Sequence, residues 1–394
     1  MPPGALTVDE KACACRRCAS TPTPRLASSP HPRTGDEQRR SRRAAGANRV
    51  GARRFATLVG ALGLTALDQL HEVLDYGERR MRAALTPCPT ASGATDVLDS
   101  AGPRPDQQSP TPVVVTLRVH GDEVTFDFTG TGAQRPGTVN APEAVTVSAV
   151  GFALRCATDP TIPANGGALR PVHVVAPAGT VVAAQPPVAV GAGNVEVSQR
   201  VADVCLAALE LARPGCVGGA NQGTMNNVLL GADGTGTGST GTDGAFVYYE
   251  TIGGGQGARP WADGMSGVHT VMTNTRDTPV EALERELPVR VVRYTLRRGS
   301  GGGGEHRGGD GIERDLEVLV DTTVSLVTER RSSRPPGTGA GAEPGAAGEN
   351  WLLPGGDERA ARPLPDKCTV ELRAGDVLRV RTPGGGGWSR RASG

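Results

Sequence analysis

The sequence predicts an α+β fold that is β-rich, with mostly antiparallel sheets, a few amphipathic helices and long Gly-rich loops. Three observations carry that prediction. Apolar residues recur at helical spacing in only a few segments, alternating runs bounded by turn residues dominate the later part, and the two kinds do not alternate as βαβ units would. The 56 Gly and 31 Pro fall mostly in short clusters between those segments, where turns need positive φ or close backbone approach. No fixed period recurs, which excludes collagen-like and repeat architectures.

Taken in order, residues 1–46 combine Pro, Ser, Thr and Arg without apolar periodicity and are expected to be a disordered tail unrelated to the rest. Their arginines suit a transit peptide, but Asp9, Glu10, Asp36 and Glu37 do not. The remainder, 47–394, divides into a helical part 48–86, a linker 87–111, a mixed α+β part 112–300 and a β-rich part 301–388. Phe55, Leu58, Val59 and Leu62 have helical spacing, and Gly63 supplies a stop. Thr65 caps a second helix whose apolar side is Leu67, Leu70, Val73, Leu74, Met81 and Leu85.

Val113 to Phe128 alternates and reads as a hairpin turning at Gly121-Asp122. Residues 140–157 form a further helix and 171–177 a strand. Val195 to Leu211 is an amphipathic helix through Val201, Val204, Cys205, Ala208 and Leu211. Hairpins are expected at 313–328, turning near Asp321-Thr322, and at 368–381, turning at Ala374-Gly375-Asp376.

Composition excludes several classes of function. A formal net charge of +1 gives no field for nucleic acid or an anionic membrane, and no run of 18 apolar residues offers a transmembrane helix. Of 42 Lys plus Arg only Lys11 and Lys367 are lysine. A Walker A loop needs a lysine directly after its second glycine, so ATP, if used, is bound by another chain. The eight cysteines, five of them scattered, read as reduced thiols of a cytoplasmic protein and not as a disulfide framework. The CxCxxC of Cys13, Cys15 and Cys18 lacks a second pair at zinc-finger spacing.

The densest polar segment runs from Tyr248 through Glu250, Gly253, Gly254 and Gly255 to Asp263, His269 and Asn274. Carboxylate, imidazole and amide groups so close together suit acid/base and orienting roles, and successive glycine amides suit close backbone approach to a ligand. The same glycines equally suit tight chain packing. Arg297-Arg298-Gly299-Ser300 and the following glycines, up to Arg307 and Asp310, read either as an anion site or as a mobile connection. His71-Glu72-Val73-Leu74-Asp75 ends in Asp where the helical zinc motif needs His, and Gly264-Met265-Ser266-Gly267 is not a nucleophile elbow.

Several runs together resemble the hydantoinase B/oxoprolinase family. They are DFTGTGAQRPGTVNAPEAVTVSAVGFALR, IPANGGALRPVHVVAPAGT, VAVGAGNVEVSQRVADV, GTMNN, YYETIGGGQGARPWADGMSGVHTVMTNTRDTPVEALE, the SGGGG/RGGDGIER segment and the closing TPGGGG. The resemblance extends from about Asn48 to Trp388 in the expected order. That family includes N-methylhydantoinase B, part of 5-oxoprolinase and the α subunits of acetone and acetophenone carboxylases.

The resemblance implies a cytoplasmic subunit of a hetero-oligomer, working with a hydantoinase A-type partner that carries the ATP site. It implies ATP-dependent hydrolysis of a cyclic amide, hydantoin or 5-oxoproline, with an acetone-carboxylase-type activity and a truncated non-catalytic scaffold as alternatives. It also implies a possible divalent metal whose ligands lie in a family N-terminal region, with an Asn-Asp-Pro…Gly-Gly-Thr-His…Asp stretch, that the first 46 residues do not resemble. On this reading Glu250, Asp263, His269 and Asn274 are the candidate catalytic residues. Gly253, Gly254, Gly255, Asn165, Asn194, Glu196 and Arg307 are the candidate substrate-binding residues.

Overall fold

The computed structural model describes residues 35–63, 65–85, 91–233 and 245–390. The CxCxxC cluster, Lys11 and Cys88 lie outside the described residues. Helix α1 (Gly35–Leu62) turns at Gly63, whose φ of 74° is the left-handed value that ends a helix, into α2 (Thr65–Leu85). α1 begins inside the segment expected to be a disordered tail, because its many Ala and Arg residues are good helix formers.

Strands β1 (Ala91–Leu98), β2 (Thr111–His120), β3 (Glu123–Asp127) and β4 (Val172–Val175) form the first sheet in that order. The β2–β3 hairpin turns at Gly121, as its alternation predicts. β4 joins β3 in parallel after helix α3 (Glu143–Ala157) crosses over. β1 corrects the expected linker over 87–111, since it pairs along its whole length with β2, from Ala91 opposite Arg118 to Leu98 opposite Thr111. Its residues are mostly small or polar, so its strand state comes from pairing with β2 and packing on helix α4 (Ser198–Ala212). The core of this layer sets Leu117, Val124 and Phe126 of the sheet against Val150 and Leu154 of α3 and Val201, Val204, Cys205 and Ala208 of α4.

The second layer is a β-sandwich. One sheet runs β11 (Arg362–Leu364), β10 (Glu349–Leu353), β13 (Val377–Arg381), β8 (Gly311–Val318), β7 (Val289–Arg297). The other runs β12 (Lys367–Leu372), β9 (Thr322–Val327), β5 (Asn227–Asp233), β6 (Ala245–Thr251). Val228, Leu230, Leu316, Val324, Leu326 and Leu378 fill the space between them, joined by Leu283 of the short helix α5 (Val280–Glu286).

Both hairpins expected in this part are corrected. β8 pairs with β7 and β13 while β9 pairs with β5 and β12, so the turn at Asp321 carries the chain from one sheet to the other. β12 and β13 are split between the sheets in the same way at Ala374-Gly375-Asp376. The two corners lock onto each other. Ala374 N donates to Asp321 Oδ1 at 3.0 Å, Gly375 N to Val318 O at 2.8 Å and Val318 N to Asp376 O at 3.0 Å. Closing the corner against its neighbour uses up the backbone groups that a hairpin would have paired internally. Among the described residues no helix is long and apolar enough to cross a membrane.

Candidate functional site

The loop that leaves β6 carries most of the polar residues singled out in the sequence, and the structure separates them into different places. Glu250, next to the last residue of β6, lies on the inner face of the sandwich and is buried. Arg314 of β8 reaches it across the gap between the sheets, donating from Nε to Oε1 at 2.8 Å and from Nη2 to Oε2 at 2.9 Å. The Tyr248 hydroxyl donates to Glu250 Oε2 at 2.9 Å. Burial pushes the Glu250 carboxyl above its ordinary range, with Arg314 and Tyr248 opposing. A carboxylate held in a bidentate fork is a positioning group rather than a free base.

From this pair a chain of contacts leads outward. The Arg314 guanidinium lies 4.6 Å from the centre of the Tyr294 ring, a cation–π distance. The Tyr294 hydroxyl donates to Asp277 Oδ2. Asp277 Oδ1 lies 3.9 Å from Nε2 of His269, whose side chain is 10% exposed. The Thr273 and Thr275 hydroxyls stand 3.4 Å from the His269 ring nitrogens, and Thr275 Oγ1 is 2.6 Å from Thr251 Oγ1. The imidazole is ringed by hydroxyls and one carboxylate at distances longer than settled hydrogen bonds. Asn274, next in sequence to Thr273 and Thr275, is exposed.

The backbone of this loop is strained. Val271 has φ 60°, a left-handed conformation that a β-branched side chain rarely adopts and that costs on the order of 1–3 kcal/mol. Its side chain packs against the helix-and-sheet core, and Gln199 of α4 donates to Thr270 O at 3.3 Å. The surroundings therefore impose the turn that presents His269, Thr273 and Thr275.

The other sequence-selected residues lie apart from this loop. Asp263 Oδ1 accepts from the Arg307 backbone N–H at 2.8 Å, and the Arg307 guanidinium donates to Asp310 at 2.9 Å. No hydrogen bond or ion pair joins either to His269 among the described residues. Gly253, Gly254 and Gly255 face protein, not an open cleft. A Cβ on Gly255 would lie 2.1 Å from Gly309 O and from Gly385 N, and one on Gly254 would lie 2.0 Å from Gln222 Oε1. These glycines interlock with 301–309 and 384–387 through bonds such as Gly385 N to Gly309 O and Gly302 N to Gly385 O, both 2.9 Å. The third glycine cluster, the close of the last strand, is part of that weave.

Asn165 bonds Val73 O at 3.1 Å and so ties its loop to α2, while Asn194 is exposed on the wide turn Gly193–Val197 that leads into α4. Glu196, on the same turn, is fully buried and belongs to a polar junction between the two layers. Its Oε1 accepts from Asn227 Nδ2 at 2.7 Å and Met225 N at 3.2 Å. Next to it Lys367 meets Glu329 at 2.6 Å, Arg200 meets Asp96 at 3.0 Å, and Arg330 meets Asp203 at 3.2 Å. Arg331 donates to Asn226 at 2.7 Å and to Asn350 at 2.8 Å.

Burial together with the neighbouring Glu329 pushes Glu196 up to about 8. Burial lifts Asp203 to about 6 against Arg330 and Arg200, whereas at Asp96 burial is outweighed by those same arginines, which hold it at about 2. Sequence reasoning marked Glu196 but missed the rest. Arg200 and Asp203 read as the solvent side of an amphipathic helix, yet both are buried while Leu211 is 45% exposed.

A divalent metal does not fit these residues. No three of His, Cys, Asp and Glu converge to hold one among the described residues, and Glu196, Asp203, Asp96 and Glu329 are each engaged with arginine, lysine or amide partners.

A family model described as hydantoinase B/oxoprolinase matches residues 26–391, starting ahead of Asn48. The chain is 43% identical over 274 residues to 5-oxoprolinase 1 of Arabidopsis thaliana, which covers 70% of this chain and 20% of that protein. It is 31% identical over 360 residues to a B-type D-/L-hydantoinase polypeptide of a Pseudomonas species, covering 87% of this chain and 58% of that protein. The crystal structure of an ATP-dependent caprolactamase from Pseudomonas jessenii shares the fold. Its TM-score is 0.73 at 24% identity, covering 91% of this chain and 62% of that one. The chain therefore spans about one fifth of the oxoprolinase and somewhat over half of the hydantoinase polypeptide.

Proposed function

This chain belongs to the hydantoinase B/oxoprolinase family, and from that premise we propose that it forms the B-type part of an ATP-dependent cyclic-amide hydrolase acting on hydantoin or 5-oxoproline. A hydantoinase A-type chain binds the ATP in a cytoplasmic hetero-oligomer. The near absence of lysine supports placing the nucleotide on that partner, since only Lys11 and Lys367 occur and Lys367 is tied to Glu329 and Asp366.

The observation that carries the reading is the strained turn at Val271 holding His269 beside Asp277, Thr273 and Thr275. Opening an activated ring amide needs a group that takes a proton from attacking water and returns one to the leaving nitrogen. A loosely held imidazole backed by a carboxylate suits that task. His269 is assigned the acid/base role and Asp277 its orientation, with the exposed Asn274 amide orienting the ring. Glu250 holds Arg314, which supports Tyr294 and through it Asp277. Asp263 and Arg307 stand outside this group and are assigned to loop support. Cyclic-amide hydrolysis is preferred to carboxylation because the relatives of higher identity carry oxoprolinase and hydantoinase names.

The test is ATP turnover by this chain co-expressed with a hydantoinase A-type chain, with and without hydantoin or 5-oxoproline. Substrate-dependent ATP hydrolysis with ring-opened product, lost in His269→Ala, is the expected result. A pair that assembles without forming product makes the chain a scaffold and overturns the catalytic reading.

A further inference from the structure

Helix α1 leaves its apolar side in solvent. Val50 is 38% exposed, Phe55 and Leu58 are each 50% exposed, and Leu62 is 56% exposed. Gly51, Phe55 and Leu58 follow each other at four and three residues, which places them on one stripe. Arg43 and Arg54, eleven residues apart and so three turns along, border that stripe, while Arg49 and Arg53 lie behind it.

From Arg43 to Leu62 the helix contains no acidic residue. A contiguous apolar face on a helix this long marks an interaction surface. Its charge selects among occupants. A second copy of α1 laid against the first would bring arginine against arginine, which is costly, whereas an apolar ridge bordered by carboxylates is complementary. Length supplies the rest of the argument. This chain covers 58% of the hydantoinase polypeptide and 62% of the caprolactamase chain, so these relatives carry a large part with no counterpart in this sequence.

We propose that the exposed apolar face of α1 is a docking surface for an acid-bordered apolar polypeptide. That polypeptide is the equivalent of the part of the longer relatives that has no counterpart in this sequence, carried on the same chain or on another. The stripe of Phe55 and Leu58 seats in its apolar ridge, and Arg43 and Arg54 meet its carboxylates.

The experiment mixes this chain with the unmatched part of the Pseudomonas hydantoinase polypeptide, expressed separately, and follows association by gel filtration with light scattering. A one-to-one complex is expected, with Kd raised about tenfold or more by Phe55→Asp with Leu58→Asp. Arg43→Glu with Arg54→Glu should weaken it most at low salt. Because all four side chains are exposed, both variants should keep the parent's circular dichroism. Absence of a complex, or a complex indifferent to both variants, overturns the proposal. So does self-association abolished by Phe55→Asp with Leu58→Asp, or capture of the face by anionic phospholipid vesicles instead. The mixture contains no ATP, A-type chain or ring substrate, so its failure leaves the enzymatic reading to its own test.

Discussion

Replacing Glu196 by Gln removes one ionisable group from the junction between the layers while keeping the side chain's shape, and its effect on stability should depend on pH with a definite sign. Glu196 is fully buried, and its carboxyl is raised from 4.5 in the unfolded chain to about 8. A carboxyl with a raised folded value contributes stability that is complete below about pH 4.5 and is lost as pH rises through about 8. At about 1.4 kcal/mol per unit, the full span is roughly 5 kcal/mol. Between about pH 7 and pH 9 the loss attributable to this one group is on the order of 1 kcal/mol. Glu196→Gln should therefore gain on the parent by about 1 kcal/mol as pH rises from about 7 to about 9. Urea midpoints of the two proteins, measured in parallel at about pH 6, 7, 8 and 9, report the difference. A gap that stays constant across that range would refute the argument, because it would mean that Glu196 does not change its protonation there.

Other perturbations separate the roles assigned above. Arg330→Met leaves Asp96 and Asp203 facing a buried gap and should cost about 3–5 kcal/mol, read as a lowered denaturation midpoint. Gly255→Ala drives a Cβ to 2.1 Å from Gly309 O and Gly385 N, so it should destabilise by more than about 3 kcal/mol, or abolish soluble expression. Gly375→Ala, with nothing within 4 Å but φ 88°, should cost only about 1–2 kcal/mol. In an active complex, His269→Ala should lower kcat by about 10²–10⁴, while Asp263→Asn should change it by less than about tenfold. Equal losses in the two variants would contradict the separation of Asp263 from the His269 loop.

How much of this was legible in the sequence depends on whether the deciding interactions were local. The β2–β3 hairpin, α3 and α4 follow from spacing and turn residues, and the family was legible from its motifs. β1 was not, because ASGATDVL becomes a strand only against β2. The turns at Asp321 and Ala374–Asp376 were placed correctly, yet alternation says which residues face inward and nothing about which sheet a strand joins. The same blindness hid the junction. Arg200, Asp203, Glu329 and Lys367 carry charges that belong at a surface by residue type, and only long-range pairing over up to 234 residues, as between Arg330 and Asp96, makes their burial tolerable. Among the candidate site residues, Glu250 and His269 share one contact chain through Arg314, Tyr294 and Asp277, whereas Asp263 and Arg307 share another. Nearness in sequence placed Glu250, Asp263 and His269 together, and the glycine turns between them undo that.

The glycine weave fills the space beside the glycines singled out in the sequence. Two glycine-rich stretches invited reading as ligand sites, but backbone carbonyls, some of them from the closing 384–387 turn, already occupy the space beside them. A Cβ would meet Gly309 O from Gly255, Gly385 O from Gly308 and Pro336 O from Gly386, each at 2.1 Å or less. Their amides are also committed, as Gly255 N is to Pro383 O and Gly386 N to Ala220 O. An amide already bonded within the protein has nothing left to offer a phosphate or an oxyanion. The weave is a rigid frame, and its edge at Val268, bonded to Gly254 in both directions at 2.9 Å, is the last fixed point before His269. Immediately beyond it the chain takes the strained turn at Val271 and exposes Asn274. A frame that spends its own hydrogen bonds to hold one short loop in an unfavourable conformation points to that loop, and not to the glycines, as the place where a substrate would be met.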